Sequence, residues 1–226
     1  MIKRINLFKI LAISAIFFLN FCAEEKKGDD STLAALLLLS GSGGSNTVAL
    51  PEKKMFLTST QYSGNLGGVT GADEKCNSDS RKPSGSSSFK AYIFNGSTRS
   101  VERSGSTYIL TDYPIAANTV YVRLDGEIIG ATGSNRAFSE SIDNFFISNN
   151  ANLTDTRTEF WVGLMSAGSS SSTAEVRNTC SEWTSNSILS NGGYGITGDS
   201  GSKGIYFFNN ESRVCNVNRP LLCIEQ

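Results

Sequence analysis

From residue 50 to the end of the chain, short runs of β-branched and aromatic residues alternate with clusters of Gly, Ser and Asn. Runs of this length and composition predict β-strands, and the polar clusters predict the turns and loops between them. The predicted strands are 54–59, 89–94, 119–124, 160–164, 204–208 and 221–225. The pattern therefore predicts a mainly β domain with long polar loops.

One segment of this region has the spacing of a helix instead. Thr70 and Asp73 lie three residues apart, as in a capping box, and Ala72 and Cys76 fall four apart on one helical face. Pro83 and the Ser-rich segment 84–88 end this pattern. We therefore expect a helix that begins near Thr70, which makes the fold class α+β.

The first residues have the organisation of a secretory signal. Lys3 and Arg4 precede a mostly apolar run at 10–19, which is too short to cross a bilayer as a helix. Cys22 follows Leu19 at the spacing of a lipobox, although Phe21 departs from the usual small residue. We expect a signal peptide at 1–21 and lipid on Cys22, with an ordinary secretory signal as the alternative.

Residues 22–49 are expected to form the lipidated N-terminus and a tether. Segment 23–30 is highly charged, segment 33–39 is apolar, and a Gly/Ser stretch follows at 41–45. Seven apolar residues cannot span a bilayer, so a short helix against the domain and a segment resting near the lipid both stay open. The globular domain is predicted to occupy residues 50–226.

Charge and composition exclude several functions. The chain has a net charge of −1, and loss of Lys3, Arg4 and Lys9 with the signal peptide leaves 17 basic and 21 acidic residues, a charge of −4. A mildly acidic chain gives no argument for binding nucleic acid. The chain contains no histidine, which excludes Ser-His-Asp and Cys-His catalysis and imidazole metal ligands. The Gly-Asp-Ser-Gly stretch at 198–201 is therefore expected to be a loop.

The cysteine count predicts disulfides. Once Cys22 carries lipid, four cysteines remain, which are Cys76, Cys180, Cys215 and Cys223. An even number in an exported chain favours two disulfides, for which three pairings are possible. A four-thiolate metal site is the alternative, but the tight CxxC pairs that are typical of such sites are missing.

Three sequence stretches occur in a fixed order along the domain. They are NLGGVTGADEKC at 65–76 with FKAY at 89–92, CSEWT at 180–184, and VCN at 214–216 with LLCIE at 221–225. Together they resemble endostatin, a collagen-derived domain with a C-type-lectin-like fold. MFLTST at 55–60 and NLGG at 65–68 also resemble the leptospiral endostatin-like (Len) surface lipoproteins.

The resemblance implies an endostatin-like domain, mainly antiparallel β with one or two helices and long loops. It implies nested disulfides, Cys76 with Cys223 and Cys180 with Cys215. It also implies a lipid-anchored protein at the surface of the outer membrane that binds host matrix or plasma proteins, such as laminin, fibronectin, factor H or plasminogen. The histidines of the endostatin zinc site are missing, and the motifs of calcium-dependent lectins do not occur here, so we expect no metal and no cofactor.

Two further sets of side chains have alternative interpretations. Trp161 and Trp183 could anchor a partner, but the favoured interpretation is core packing, with Trp183 against a disulfide. Six arginines could form a face for sulfated glycans, but their scatter favours ordinary solvated surface. They are Arg99, Arg103, Arg123, Arg136, Arg157 and Arg177.

Three functions remain from the sequence. The first is a binding module or adhesin without enzymatic activity, and the second is a structural or periplasmic envelope lipoprotein without a host ligand. The third is an enzyme that uses a pair of carboxylates, although no such pair stands out in a recognisable motif. The binding module is the favoured hypothesis.

Overall fold

The computed structural model describes residues 49–138, 147–148, 158–166, 174–197, 205–207 and 211–226. All of them belong to one compact unit, Ala49–Gln226. The predicted signal peptide, Cys22 and the apolar segment 33–39 lie outside the described residues. The stretch at 198–201 lies outside them as well.

The described chain is built from short strands and two short helices. The strands are β1 (Glu52–Leu57), β2 (Phe89–Ala91), β3 (Ser100–Ser104), β4 (Thr107–Thr111), β5 (Val120–Val122), β6 (Ile128–Ala131), β7 (Ile147–Ser148), β8 (Thr158–Trp161), β9 (Leu164–Ser166), β10 (Ala174–Val176), β11 (Asn191–Thr197), β12 (Ile205–Tyr206), β13 (Ser212–Val214) and β14 (Leu222–Glu225). The helices are α1 (Gly68–Ser78) and α2 (Cys180–Trp183).

A central sheet joins the two ends of the domain. Its strand order is β2-β14-β1-β5-β6, and the first strand, β1, pairs antiparallel with the last strand, β14, through Phe56 opposite Cys223. Strand β5 runs parallel to β1, and the other two pairings in this sheet are antiparallel. The sheet therefore fixes the beginning of the domain against its end.

The remaining strands form antiparallel pairs around β11. Strand β11 pairs with β13 through residues 191–193, with β8 through residues 194–197, and with β12 at residues 196–197, while β12 also pairs with β7. Two ribbons complete the described sheets, β3 with β4 and β9 with β10. The mainly antiparallel α+β class with two helices is confirmed.

Both faces of the central sheet are buried where β1 pairs with β14. Along β1, Met55 and Leu57 belong to one apolar cluster and Phe56 belongs to a second. Along β14, Leu222 and Ile224 join the first cluster and Cys223 joins the second. Successive side chains of a strand point to opposite faces, so a strand covered on both sides is apolar at nearly every position. This explains the continuous apolar runs at both ends of the domain.

The two clusters differ in composition. The first is rich in aromatic rings, with Tyr92 in edge contact with both Phe94 and Tyr113. The second contains both disulfides, both tryptophans and the buried face of α1. Ala72 and Cys76 lie on that buried face, as their spacing predicts.

The predicted capping of this helix is wrong. Helix α1 begins at Gly68, two residues before Thr70, and its N-cap, Gly67, provides no side-chain hydrogen bond. The Asp73 carboxylate instead accepts a hydrogen bond from the backbone N–H of Ala91 at 2.8 Å. The sequence pattern does not distinguish two roles of an acidic residue in the first turns of a helix. Such a residue can cap the helix, or it can accept a hydrogen bond from a neighbouring strand.

None of the described helices is both long and apolar enough to pass through a bilayer.

Candidate interaction surfaces

Two disulfides brace the domain, as the cysteine count predicts. Cys76 in α1 is bonded to Cys223 in β14, and Cys180 in α2 is bonded to Cys215, just after β13. The bonds close segments with sequence separations of 147 and 35 residues, so the shorter one lies within the longer. All four cysteines are fully buried. The described surfaces are therefore held by a frame with nested cross-links.

The two tryptophans pack inside this frame. Their side chains have no solvent exposure, and their ring centroids are 5.8 Å apart. Trp183 Nε1 donates a hydrogen bond to the Phe94 carbonyl at 2.8 Å. A Cβ on Gly192 would lie 2.6 Å from the Trp161 ring and 2.9 Å from Cys180 Sγ, so the packing leaves no room for a side chain there. The interpretation of both tryptophans as core is confirmed, and the alternative of exposed anchors is wrong.

Helix α2 is a left-handed turn. Cys180, Ser181, Glu182 and Trp183 have φ angles of 49°, 54°, 55° and 67°. Left-handed helical backbone costs roughly 1–2 kcal/mol for each L-residue, so surrounding contacts must hold it. They include the disulfide at Cys180 and the carbonyl of Trp183, which accepts hydrogen bonds from two backbone N–H groups of the loop before α1.

The loop after α2 presents two aliphatic side chains to solvent. Ile188 is 66% exposed and Leu189 is 90% exposed. The loop backbone is held by its own serines, because Ser185 Oγ accepts from the N–H of Ser187 and Ser187 Oγ accepts from the N–H of Leu189, both at 3.1 Å. The Ser190 carbonyl accepts from the N–H of Cys215 at 2.9 Å, which fixes the loop to the disulfide. We call residues 185–190 the aliphatic loop.

A cleft of about 410 Å³ lies between strands β3 and β10. It is lined by residues 100–103 of β3, by all of β10 and by Gly96. This volume falls within the range of ligand-binding sites. The Glu102 carboxylate is exposed at the cleft and has no hydrogen-bond or ion-pair partner among the described residues. The second carboxylate of the cleft, Glu175, contacts the Nε of Arg177.

A second, more open hollow of about 310 Å³ lies beside a polar cluster of different composition. Glu159 bonds both Arg213 and Arg219, and the Arg219 guanidinium lies 5.1 Å from the Trp161 ring centroid and 5.4 Å from the Tyr194 ring centroid. Burial, followed by the hydrogen bond to a neighbouring glutamate, raises the pKa of Tyr194 to about 12. The two cations of this cluster, Arg213 and Arg219, already contact a carboxylate and aromatic rings. The cluster therefore has the contacts of a structural cross-link between strands.

The expectation that all six arginines form solvated surface is wrong for Arg99. Its side chain is 1% exposed and bonds two aspartates, Asp73 and Asp112. The other described arginines differ in their contacts. Arg103 and Arg136 are exposed, Arg123 pairs with two acidic residues, Arg177 contacts Glu175, and Arg157 lies outside the described residues.

Within the described ranges, no group of three or more acidic or Cys side chains is arranged to hold a metal ion.

The sequence did not single out Glu102, Ile188 or Leu189. Ile188 and Leu189 form an isolated aliphatic pair in a polar segment, and this pattern does not distinguish a buried anchor from an exposed tip. The Ser-rich segment 167–173 has the composition of a loop presented from a scaffold, and it lies outside the described residues.

One family matches the chain. The model of a family described as protein of unknown function (DUF1554) matches residues 59–200, which is more than half of the sequence. No curated protein matches the chain.

Proposed function

The chain belongs to the DUF1554 family, and we propose that this member is a lipid-anchored surface protein with an endostatin-like, C-type-lectin-like domain. In this proposal it binds host matrix or plasma proteins at the outer membrane surface and catalyses no reaction. Laminin, fibronectin, factor H and plasminogen are the partners implied by its resemblance to the Len lipoproteins.

The endostatin-like part of the proposal is supported by the ordered sequence motifs and by how they are used. NLGGVTGADEKC forms the turn into α1 and supplies Cys76, and LLCIE forms β14 and supplies Cys223. CSEWT forms the left-handed turn that supplies Cys180. Each motif therefore contributes one end of a disulfide and a buried part of the frame, which accounts for their occurrence as a set.

The observation that carries the binding proposal is the cleft between β3 and β10. Its volume of about 410 Å³ can receive side chains of a macromolecular partner. Its walls are two separate ribbons, and one wall contributes buried Val101 while the other contributes buried Ala174. A site lined by both apolar and charged side chains has the composition of a protein-recognition surface.

The charge of the rim indicates what kind of partner segment fits. Three charged side chains line the cleft: Glu175 contacts Arg177, Arg103 Nε donates to the Gly105 carbonyl, and the Glu102 carboxylate is exposed and has no partner among the described residues. A Lys or Arg side chain of the partner would find its complement at Glu102. Such a contact is solvent-exposed, so its contribution is screened at high ionic strength and affects the association rate in particular.

Surface plasmon resonance with the oxidised protein tests the proposal. The protein is passed over immobilised laminin, fibronectin, factor H and plasminogen, and the salt concentration is varied. We expect saturable binding to at least one of them, with faster association at low salt. A Len lipoprotein that binds the same surface serves as the positive control. Binding to none of the four, while the control binds, would favour the structural envelope alternative.

A further inference from the structure

We propose that the aliphatic loop, residues 185–190, is a membrane-contacting tip that inserts Ile188 and Leu189 into the interface of a phosphatidylcholine bilayer. This inference concerns a different surface from the cleft. It rests on the proposed lipid anchor at Cys22 only for bringing the domain to the bilayer.

The first argument is the exposure of the two side chains. Leu189 is 90% exposed and Ile188 is 66% exposed, and they are adjacent in sequence. Leaving two neighbouring aliphatic side chains in water is unfavourable, and burial in an apolar phase removes that penalty. Isolated exposed aliphatic residues are ordinary, but a rigid adjacent pair at the end of a loop offers a single apolar point of contact.

The second argument is that backbone N–H groups of the loop have hydrogen-bond acceptors within the loop. An N–H group that enters the bilayer without a hydrogen-bond acceptor strongly opposes insertion. Here the N–H groups of Ser187 and Leu189 donate to serine hydroxyls, and the N–H of Ser190 donates to the Ser187 carbonyl. These three groups keep their acceptors when water leaves, so they add little to the penalty for insertion.

The third argument is the absence of charge around the tip. Residues 183–198 contain no Asp, Glu, Lys or Arg, and the neighbouring segment 214–218 contains none either. The residues that flank the pair carry hydroxyl or amide groups, which suit the polar headgroup region. A protein interface on this acidic chain would be expected to include charged rim residues, as the cleft does, and interface hot spots favour Trp, Tyr and Arg over Leu and Ser. The composition therefore favours a zwitterionic lipid surface.

The fourth argument is proximity. If Cys22 carries lipid, the chain between Cys22 and Ala49 cannot exceed about 95 Å even when fully extended. The domain then stays close to the bilayer, and insertion of the tip becomes an intramolecular step with a high effective concentration. A weak apolar contact is sufficient under that condition.

The test uses the full chain reconstituted in phosphatidylcholine vesicles, with and without brominated acyl chains that quench tryptophan. The native tryptophans, Trp161 and Trp183, are fully buried and provide the background. Leu189→Trp places a reporter at the tip. Ile109→Trp is the matched control, because Ile109 is an exposed aliphatic residue on β4, at 54% exposure.

We expect the added emission of Leu189→Trp to fall by about two-fold in brominated vesicles, since interfacial insertion reaches the headgroup and acyl boundary. The emission of Ile109→Trp should be unchanged. Because segments 183–198 and 214–218 contain no charged side chain, the quenching should be the same at about 0.1 M and about 1 M salt. Equal quenching at both positions, or none at Leu189→Trp, overturns the proposal.

Two further outcomes are separated by the design. Flotation of the vesicles reports whether the chain is anchored, and if it does not float, an N-terminal His-tag on nickel-chelating lipid supplies the anchor before quenching is measured. Failure of the lipid anchor is thereby distinguished from failure of the tip.

The double variant Ile188→Ser with Leu189→Ser tests the alternative of a protein interface. If Leu189→Trp stays unquenched while this double variant abolishes binding to the host protein panel, the aliphatic loop belongs to a protein interface and the membrane proposal is wrong.

Discussion

Arg99 shows how one buried charged residue organises three parts of the fold. Its guanidinium bonds both carboxylate oxygens of Asp73 in α1, the carboxylate of Asp112 after β4, and the carbonyl of Ala91 in β2. The aspartates lie 26 and 13 residues away in sequence. A residue with such distant partners cannot be distinguished from a surface arginine by its local sequence, which is why its burial was not predicted.

Removing one partner of Arg99 should weaken the fold. Asp73→Asn keeps the size of the side chain but removes the charge that faces a buried guanidinium, and we expect a loss of about 2 kcal/mol in the free energy of unfolding. Asp125→Asn is the control, because Asp125 pairs with Arg123 at an exposed turn, and it should change stability by less than about 0.5 kcal/mol. Urea unfolding of the three proteins measures both values. Equal effects of the two variants would contradict this role of Arg99.

The same cluster predicts a pH dependence. Burial alone would raise the pKa of Asp112, but hydrogen bonds from Lys90 and Arg99 outweigh it and lower the pKa below the ordinary value. A carboxyl group whose pKa is lower in the folded state stabilises the fold above its unfolded pKa, and this contribution is lost as the pH falls. Stability should therefore decline below about pH 5. Asp112→Asn should make that decline shallower in urea midpoints taken across this range, and an unchanged slope would count against the assignment.

At the scale of elements, the predicted strands 54–59, 89–94, 119–124 and 221–225 coincide with strands of the central sheet, and 204–208 contains β12. Strands β1 and β14 each contain a run of three apolar residues, 55–57 and 222–224, whose side chains are buried on the two faces of the central sheet. Strand β11 was missed because its sequence, NGGYGIT, contains three glycines, and Gly192 is required by the Trp161 ring and the disulfide that pack against it. The predicted strand 160–164 is divided in the structure between β8 and β9, with Gly163 at a positive φ of 78° between them.

The β3–β4 ribbon was missed for a different reason. Strand β3, SVERS, mixes charged and apolar residues, whereas β4, TYILT, has the β-branched and aromatic composition of a strand, and the buried apolar side chains of the ribbon are Val101 and Tyr108. A ribbon that is mostly exposed needs few apolar residues, so the sequence of β3 resembles that of a loop. The cleft could not be predicted because β3 and β10 are distant in sequence and come together only in the folded chain.

The left-handed turn of α2 predicts a glycine substitution that stabilises the protein, whereas glycine in a right-handed helix destabilises it. Ser181 has a φ of 54° and is exposed, so Ser181→Gly should relieve backbone strain and stabilise the protein by about 0.5–1 kcal/mol. Glu74→Gly is the control in the right-handed helix α1, where glycine should cost about 0.6 kcal/mol. Thermal unfolding of both variants measures the difference. Destabilisation by glycine at both sites would show that the left-handed conformation is not the one in solution.

At the scale of the whole molecule, the frame that stabilises the domain is separate from the surfaces proposed for recognition. The central sheet, two nested disulfides and the second apolar cluster fix the scaffold, and the cleft and the aliphatic loop are displayed on it. The sequence predicted the class of the fold and the number of disulfides, because apolar runs and cysteine counts reflect local chemistry. Its interaction surfaces depend on long-range packing, and only the structure located them.

The proposed lipid anchor can be tested on cells. Cys22→Ala removes the only thiol available for acylation in the expected lipobox, so this variant should not incorporate labelled palmitate and should not partition into detergent. The native chain should do both. Asn20→Ala, which changes the expected lipobox but keeps its thiol, is the control and should behave as the native chain does. Equal incorporation into the native chain and the Cys22→Ala variant would show that the anchor lies elsewhere.

The most direct test of the binding proposal compares charge reversals inside and outside the cleft. Glu102→Arg reverses the exposed carboxylate of the cleft, and Glu52→Arg reverses an exposed carboxylate at the start of β1. Affinity for the host protein that the native domain binds is measured by surface plasmon resonance. We predict about a ten-fold loss for Glu102→Arg, equivalent to about 1.4 kcal/mol, and an unchanged affinity for Glu52→Arg. Equal affinities of both variants and the native protein would contradict a binding site in the cleft.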